Sequence, residues 1–181
     1  MRDYYEELWQ RLPDQLIPPD LELRLAHLRA GVRAGDRVLD LGCGDGLFTA
    51  ELARVGAAAT GVEIAEAALR RARAGHPDLD FRLAPIDGPL PFDDVSFDVV
   101  WTSEVIEHVA DTARWLSEVR RVLVPRGQLL LTTPSHGRLR IALTGIEGFS
   151  DPLGDHLHLY TRASLTALLD EFGFDEISVR S

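Results

Sequence analysis

The segment Val38–Gly46, with the sequence VLDLGCGDG, decides the fold of this 181-residue chain. A short strand-like run leads into three glycines at alternate positions, and an amphipathic helical pattern follows them. Glycine lets the backbone approach a ligand closely, and the first N–H groups of the following helix have no partner within the helix. The segment therefore predicts a strand, a ligand-binding turn and a helix, in that order.

Strand-like and helix-like segments alternate downstream of this turn. Such alternation predicts a Rossmann-like, doubly wound, mostly parallel α/β sheet with helices on both faces. The predicted strands cover residues 36–41, 57–62, 79–83, 97–102, 128–133 and 175–179. Two amphipathic helices precede the first strand, so we divide the single predicted domain into a helical cap or lid, 1–34, and the α/β unit, 35–181.

Composition limits the classes of function. The 29 acidic and 19 basic residues give a formal charge of −10, which disfavours a nucleic-acid partner. All 19 basic residues are arginine, so mechanisms that need a lysine amine are excluded. The single cysteine and the absence of a long apolar run or leader pattern predict a cytoplasmic protein without membrane association.

Two acidic residues stand at the ends of the first two predicted strands. Asp40 would lie beneath the pyrophosphate of a dinucleotide, and Leu47 replaces the third glycine of the dinucleotide fingerprint. Both features disfavour NAD, and an acid at position 40 suits a ligand that carries an ammonium group. Glu63 ends the second strand, where a carboxylate can accept both ribose hydroxyls. The alternative for Glu63 is a solvated acid without a ligand.

Four segments resemble class I S-adenosylmethionine-dependent methyltransferases: VLDLGCGDG at 38–46, GVEIAEAAL at 61–69, PLPFDDVSFDVVWTSEVIEHV at 89–109 and RVLVPRGQLLLTTP at 121–134. The resemblance implies S-adenosylmethionine as methyl donor and S-adenosylhomocysteine as product. It also implies that the methionine end lies on the first turn, the ribose on Glu63 and the adenine on Ile64. The family's final reversed strand has no counterpart in this sequence. The cofactor residues that the resemblance implies are Asp40, Gly42, Cys43, Gly44, Glu63, Ile64, Asp87 and Ser103.

Two of these cofactor residues have other interpretations. Asp87 lies one residue away from the family's usual position for the acid that contacts the adenine amine, and an aspartate before Gly88 is also typical of a turn. Cys43, between two glycines, is more typical of a small packing residue than of a nucleophile.

Candidate catalytic residues follow the fourth and fifth predicted strands. Glu104, Glu107 and His108 have i, i+3, i+4 spacing, so on a helix they share one face. With His156 they resemble the E-x-x-E-H and later D-H elements of ubiquinone-biosynthesis O-methyltransferases and small-RNA 2′-O-methyltransferases. This resemblance implies that the four residues act in catalysis and bind Mg²⁺ or Mn²⁺. Alternatively, the acids favour a helix N-terminus and His108 packs against the cofactor.

The sequence thus predicts a methyltransferase that acts on a small-molecule acceptor, with oxygen as the favoured methylated atom. A metal-dependent RNA ribose 2′-O-methyltransferase is an alternative that conflicts with the charge of −10. A protein that binds the cofactor without turnover is another. Neither the acceptor nor the oligomeric state follows from the sequence.

Overall fold

A computed structural model describes residues 2–13, 17–85, 88–135 and 156–180, and its centre is a five-stranded sheet. The strand order is β3-β2-β1-β4-β5, and every neighbouring pair is parallel. This arrangement confirms the prediction of a Rossmann-like α/β fold. The strands are β1 Arg37–Leu41, β2 Ala58–Glu63, β3 Asp80–Leu83, β4 Phe97–Ser103 and β5 Leu123–Thr132.

Helices connect the strands and cover the sheet. In the described part of the chain they are α1 Arg2–Arg11, α2 Leu21–Gly31, α3 Leu47–Arg54, α4 Glu66–Gly75, α5 Thr112–Val122 and α6 Arg162–Glu171, with a 3-10 turn at Ile106–His108. None of these helices has both the length and the apolar character that a membrane crossing requires.

The core consists of apolar layers on the two faces of the sheet. In β4, Val99 and Trp101 pack with the buried residues of α2 and α3, whereas Val100 packs with those of α5 and α6. Successive side chains of a strand point to opposite faces, so a strand covered on both faces is apolar at nearly every position. This burial explains the apolar segments 38–39 of β1 and 99–101 of β4.

The parallel arrangement brings several strand ends to one edge of the sheet. Asp40 in β1 pairs in register with Gly61 in β2, and Ser103 in β4 pairs with Thr132 in β5. In open α/β sheets, ligands bind at the carboxyl ends of the strands, where the strand order reverses. The order places this reversal between β1 and β4, so Asp40 in β1 and Ser103 at the end of β4 lie next to the expected position.

The prediction of a sixth strand over 175–179 is wrong. Residues 174–180 form no strand in the structure. Arg120 of α5 donates a hydrogen bond to the Phe172 carbonyl at 3.1 Å, and its guanidinium lies 5.6 Å from the centroid of the Phe174 ring. These contacts hold the start of the segment on α5. Alternating polar and apolar residues alone do not make a strand without a neighbouring strand to pair with.

Candidate active site

The turn between β1 and α3 has the geometry that its glycines predict. Gly42 and Gly44 have φ angles of +85° and +55°, which favour glycine. The N–H groups of Gly42 and Cys43 both donate to the Val62 carbonyl at 2.9 Å, and this fixes the turn to the end of β2. A Cβ atom at Gly42 would collide with the Val105 side chain. The turn is therefore narrow and fixed in position. Its backbone is accessible only at the glycines, which have no side chain.

Asp40 lies beneath this turn rather than open to solvent. Its side chain is buried, and Thr49 Oγ1 donates a 2.6 Å hydrogen bond to Oδ2. Burial raises the pKa of Asp40 to about 7, and the nearby charge of Glu63 adds to the rise. Asp40 thus links the end of β1 to the first turn of α3, and a cation bound nearby would favour its ionised form.

Three backbone N–H groups fix the carboxylate of Glu63. Oε1 accepts from Ile64 at 2.8 Å and from Ala65 at 3.1 Å, and Oε2 accepts from Gly44 at 3.2 Å. Burial raises the pKa of Glu63, and the three donors oppose that rise. Glu63 therefore stands directly beside the glycine turn, and Ile64 beside it is partly buried.

The remaining predicted cofactor residues have different surroundings. Cys43 is buried in a cluster with Leu69, Ala72 and Phe81, and burial raises the pKa of its thiol, so it behaves as a packing residue. Ser103 Oγ lies 2.8 Å from Thr132 Oγ1 at the ends of β4 and β5. Asp87 lies outside the described residues.

The acidic segment after β4 is not the continuous helix that its spacing predicts. Glu104 has a left-handed backbone with φ of 57°, and only Ile106–His108 forms a single 3-10 turn. A left-handed residue interrupts helical geometry, so Glu104 cannot share one α-helical face with Glu107 and His108. Its carboxylate instead accepts a hydrogen bond from Thr132 Oγ1 at 3.2 Å and lies 3.3 Å from Arg24 Nη2.

Glu107, His108 and His156 nevertheless come together. One potential ligand atom from each lies within 4.8 Å of the others, and the two imidazole centroids are 4.6 Å apart. The backbone brings His156 to this position, because the N–H groups of Leu157 and His158 both donate to the Glu107 carbonyl, at 2.8 and 3.0 Å. The structure therefore joins three of the four predicted catalytic residues.

Glu107 is the most deeply buried member of this cluster. Thr133 Oγ1 donates to its Oε2 at 3.0 Å, but Oε1 accepts no hydrogen bond from the described residues. Burial, reinforced by the charge of Glu104, raises the pKa of Glu107 to about 7. A buried carboxylate oxygen without a donor is costly in the folded chain, and a bound cation or proton offsets that cost.

The first helix, α1, contacts both the glycine turn and the cluster of Glu107, His108 and His156. The Trp9 ring packs so closely on Gly44 that a Cβ atom there would lie 2.9 Å from Cζ2. The Tyr5 ring meets His108 edge to face, with centroids 5.9 Å apart. Glu6 accepts a hydrogen bond from a backbone N–H at the start of α4 at 3.0 Å, and no residue of α1 is buried. Helix α1 is therefore attached to the rest of the chain through side chains that stay at least partly exposed.

A family model described as a methyltransferase domain matches residues 1–179, nearly the whole chain. The chain belongs to the methyltransferase-domain family. This membership confirms the class I S-adenosylmethionine-dependent methyltransferase family inferred from the four motifs.

Three proteins illustrate the similarity. A Mycolicibacterium smegmatis protein named "Probable S-adenosylmethionine-dependent methyltransferase" is 37% identical over 153 residues, which cover 84% of this chain and 55% of that protein. A Paracidovorax citrulli ubiquinone biosynthesis O-methyltransferase is 32% identical over 135 residues, 71% of this chain and 57% of the relative. An S-adenosylmethionine-dependent methyltransferase structure from Mesorhizobium loti is 28% identical, with a TM-score of 0.68 over 82% of this chain and 79% of that one. The chain thus spans little more than half the length of these two curated relatives.

Four polar residues of this candidate site were not predicted from the sequence: Arg24, Thr49, Thr132 and Thr133. The signal for Thr49 was available, since a hydroxyl in the first turn of the helix after the glycine turn can reach the end of β1. Thr133 directly follows β5, where candidate residues are expected. Arg24 gives no such signal, because it reaches the site from α2, 80 positions before Glu104 in the chain.

Proposed function

We propose that the protein transfers a methyl group from S-adenosylmethionine to an oxygen atom of a small-molecule acceptor. The observation that carries this proposal is the meeting of two groups at one edge of the sheet. One is the glycine turn with Glu63, and the other is the cluster of Glu107, His108 and His156. The name of the ubiquinone biosynthesis O-methyltransferase relative supports a small acceptor and transfer to oxygen.

In this proposal the cofactor lies across the carboxyl ends of β1 and β2. Glu63 accepts a hydrogen bond from a ribose hydroxyl, because its three N–H donors leave one of roughly four lone-pair sites of the carboxylate free. Asp40 favours the ammonium group of the methionine end through its negative potential beneath the turn. The glycine turn provides a surface without side chains. The proposed cofactor residues are Asp40, Gly42, Cys43, Gly44, Glu63, Ile64, Asp87 and Ser103.

The acceptor end has donors that fit a divalent cation. One buried carboxylate oxygen of Glu107 is without a hydrogen bond from the described residues. A carboxylate oxygen of Glu107 and one ring nitrogen each of His108 and His156 lie within 4.8 Å of one another. Oxygen and imidazole donors suit Mn²⁺, and Mg²⁺ with added water ligands. We therefore propose Glu107, His108 and His156 as the residues that would hold Mg²⁺ or Mn²⁺. Glu104, the fourth predicted ligand, lies beside them with its carboxylate bound by Arg24 and Thr132. Such a cation, when bound, lowers the pKa of a hydroxyl that it contacts.

The protein's own side chains supply alignment and proton acceptance. Methyl transfer from a sulfonium is an in-line displacement, so holding the acceptor oxygen opposite the sulfur provides much of the acceleration. Without a cation, His108 or His156 accepts the hydroxyl proton, since a neutral imidazole nitrogen can act as a general base.

Of the predicted cap, residues 1–34, the first helix α1 acts as a cap in this proposal, whereas α2 packs in the core through Leu25 and Leu28. Two contacts support the assignment. Trp9 covers Gly44 in the glycine turn, which is the cofactor half of the site, and Tyr5 covers His108 in the histidine–glutamate cluster, which is the acceptor half. Because α1 buries none of its residues, it can detach at a lower free-energy cost than the sheet. A cap of this kind excludes water from the transfer step.

Calorimetric titration with S-adenosylhomocysteine and with NAD tests the cofactor half. S-adenosylhomocysteine should bind and NAD should not, and tighter binding of NAD would contradict the proposal. Glu66→Gln is the matched control for Glu63→Gln, because Glu66 pairs with Arg73 on the surface of α4. Only Glu63→Gln should weaken the binding.

Methylation of catechol and of 1,2-diaminobenzene, followed by mass spectrometry, tests the acceptor half. Methylated catechol supports transfer to oxygen, and methylation of the diamine alone would overturn it. Activity lost in a chelator and restored by Mn²⁺ supports the cation, whereas chelator-insensitive activity lost in His108→Asn supports an imidazole base. His76→Asn is the control for that variant, because His76 follows α4 away from the cluster. Cofactor binding without methylation of either acceptor or of single-stranded RNA would favour a protein without turnover.

A further inference from the structure

One ion pair ties the acidic segment after β4 to the N-terminal helices. Arg24 of α2 places Nη2 at 3.3 Å from Glu104 Oε2, and the two side chains are 12% and 28% exposed. The other carboxylate oxygen, Oε1, accepts a hydrogen bond from Thr132 Oγ1 at 3.2 Å. Both oxygens of Glu104 are therefore engaged, one by a cation and one by a hydroxyl.

The backbone of Glu104 is constrained as well. Its N–H donates to the Thr132 carbonyl at 2.9 Å, and its φ of 57° lies in the left-handed region that residues with a Cβ atom adopt at a cost. Such a conformation persists only where the surroundings hold it. Here the ion pair and the two bonds to Thr132 hold it, and the direction of the following turn depends on it.

This turn carries Glu107 and His108, three and four residues further along the chain. Glu107, His108 and His156 form a compact donor set within 4.8 Å, a set that does not include Glu104. The positive charge of Arg24 also lowers the pKa of both Glu104 and Glu107, against the effect of burial. The guanidinium thus limits the repulsion between two partly desolvated carboxylates.

We infer that Arg24 is a positioning residue, which anchors Glu104 and thereby orients Glu107 and His108 in the acceptor half of the site. Glu104 serves as the anchor for α2 rather than as a member of the donor set. The inference rests on the proposed function only in naming that half of the site, because the contacts themselves are independent of any acceptor.

The test is a double-mutant cycle with Arg24→Gln, Glu104→Gln and the double variant, together with Arg24→Lys. Imidazole ¹H–¹⁵N spectra, assigned with histidine variants, report the surroundings of His108 without any acceptor or metal. Both single variants should shift the His108 signals, the double variant should shift them no further than either single variant, and Arg24→Lys should retain most of the wild-type position. Residues that act as one unit give such non-additive changes.

Arg29→Gln is the control, because Arg29 lies on the same helix and pairs with Glu51 of α3, away from the cluster. It should leave the His108 signals unchanged. Arg29→Gln should also leave the dissociation constant of S-adenosylhomocysteine within about twofold of the wild-type value, because sites without shared partners act nearly independently. Wild-type His108 signals in Arg24→Gln, or additive shifts in the double variant, would overturn the inference. If Arg24→Gln does not fold, Glu104→Gln replaces it as the test. His108 signals in Glu104→Gln that equal those of the wild type would then overturn the inference. Failure of the proposed function would appear separately, as absent binding of S-adenosylhomocysteine by the wild type.

Discussion

Replacing Glu107 by glutamine should stabilise the ligand-free protein above neutral pH. Burial raises the pKa of Glu107 from 4.5 to about 7. The native state therefore binds more protons at this site than the unfolded state does, and its stability falls as the pH rises from 4.5 to about 7. At about 1.4 kcal/mol per unit of pKa, the full effect is about 3 kcal/mol of unfolding free energy at pH values above the folded pKa. Glutamine keeps the shape and can still accept the hydrogen bond from Thr133.

Urea unfolding at a series of pH values, followed by tryptophan fluorescence, measures this difference. The advantage of Glu107→Gln should be largest above pH 7 and should disappear near the unfolded pKa. Glu118→Gln is a control of opposite sign, because Arg121 and the Leu90 N–H lower the pKa of Glu118. That variant should lose stability near neutral pH, and the loss should disappear as the pH falls through the lowered pKa.

Two outcomes would refute this reasoning. A difference between Glu107→Gln and the wild type that does not vary with pH would mean that the carboxylate is not destabilised by its burial. A variant less stable than the wild type above pH 7 would mean that an ionised Glu107 has a favourable partner in the ligand-free protein.

Added Mn²⁺ should stabilise the wild type and not the variant, since a ligand stabilises only a state that binds it.

Other substitutions should act on the cofactor half. Gly44→Ala should weaken binding of S-adenosylhomocysteine in calorimetry, because its φ is +55° and the new Cβ would contact Trp9; unchanged affinity would contradict the role of the turn. Glu63→Ala should weaken the same binding by about 1–3 kcal/mol, the range for losing hydrogen bonds to a charged group. Thr49→Val should lower the unfolding free energy by about 1–3 kcal/mol, since it removes a donor from the buried Asp40; a neutral effect would contradict this. Single-stranded RNA should not bind at physiological salt in a filter assay, given the charge of −10.

The features predicted correctly from the sequence depend on local patterns and on the parallel sheet. The turn needs positive φ angles at Gly42, Gly44 and Gly46, which glycine adopts without steric cost, so three glycines at alternate positions after a strand predict such a turn. Asp40 and Glu63 lie near one another because adjacent parallel strands end at the same edge. The observed burial of Asp40 beneath the turn, however, depends on Thr49, whose hydroxyl selects one position for the carboxylate.

The errors arose where distant contacts override local spacing. The i, i+3, i+4 pattern from Glu104 to His108 fits a helix, but the pairing with Arg24 and Thr132 holds Glu104 in a left-handed conformation. Residues 175–179 have the alternation of a strand, yet Arg120 binds the chain just before them to α5. These partners cannot be identified from the sequence of the segment whose conformation they change. Pairing between such distant residues is known only from the three-dimensional structure.

The hydrogen bonds of Glu63 have a consequence for the thermodynamics of cofactor binding. The side chain is already held by the N–H groups of Gly44, Ile64 and Ala65 in the ligand-free protein. Immobilising a free glutamate side chain costs up to about 2 kcal/mol of rotamer entropy, and here that entropy is lost during folding. In the proposed cofactor site, a ribose at this carboxylate would therefore meet a preorganised acceptor, and more of its hydrogen-bond energy would appear as affinity.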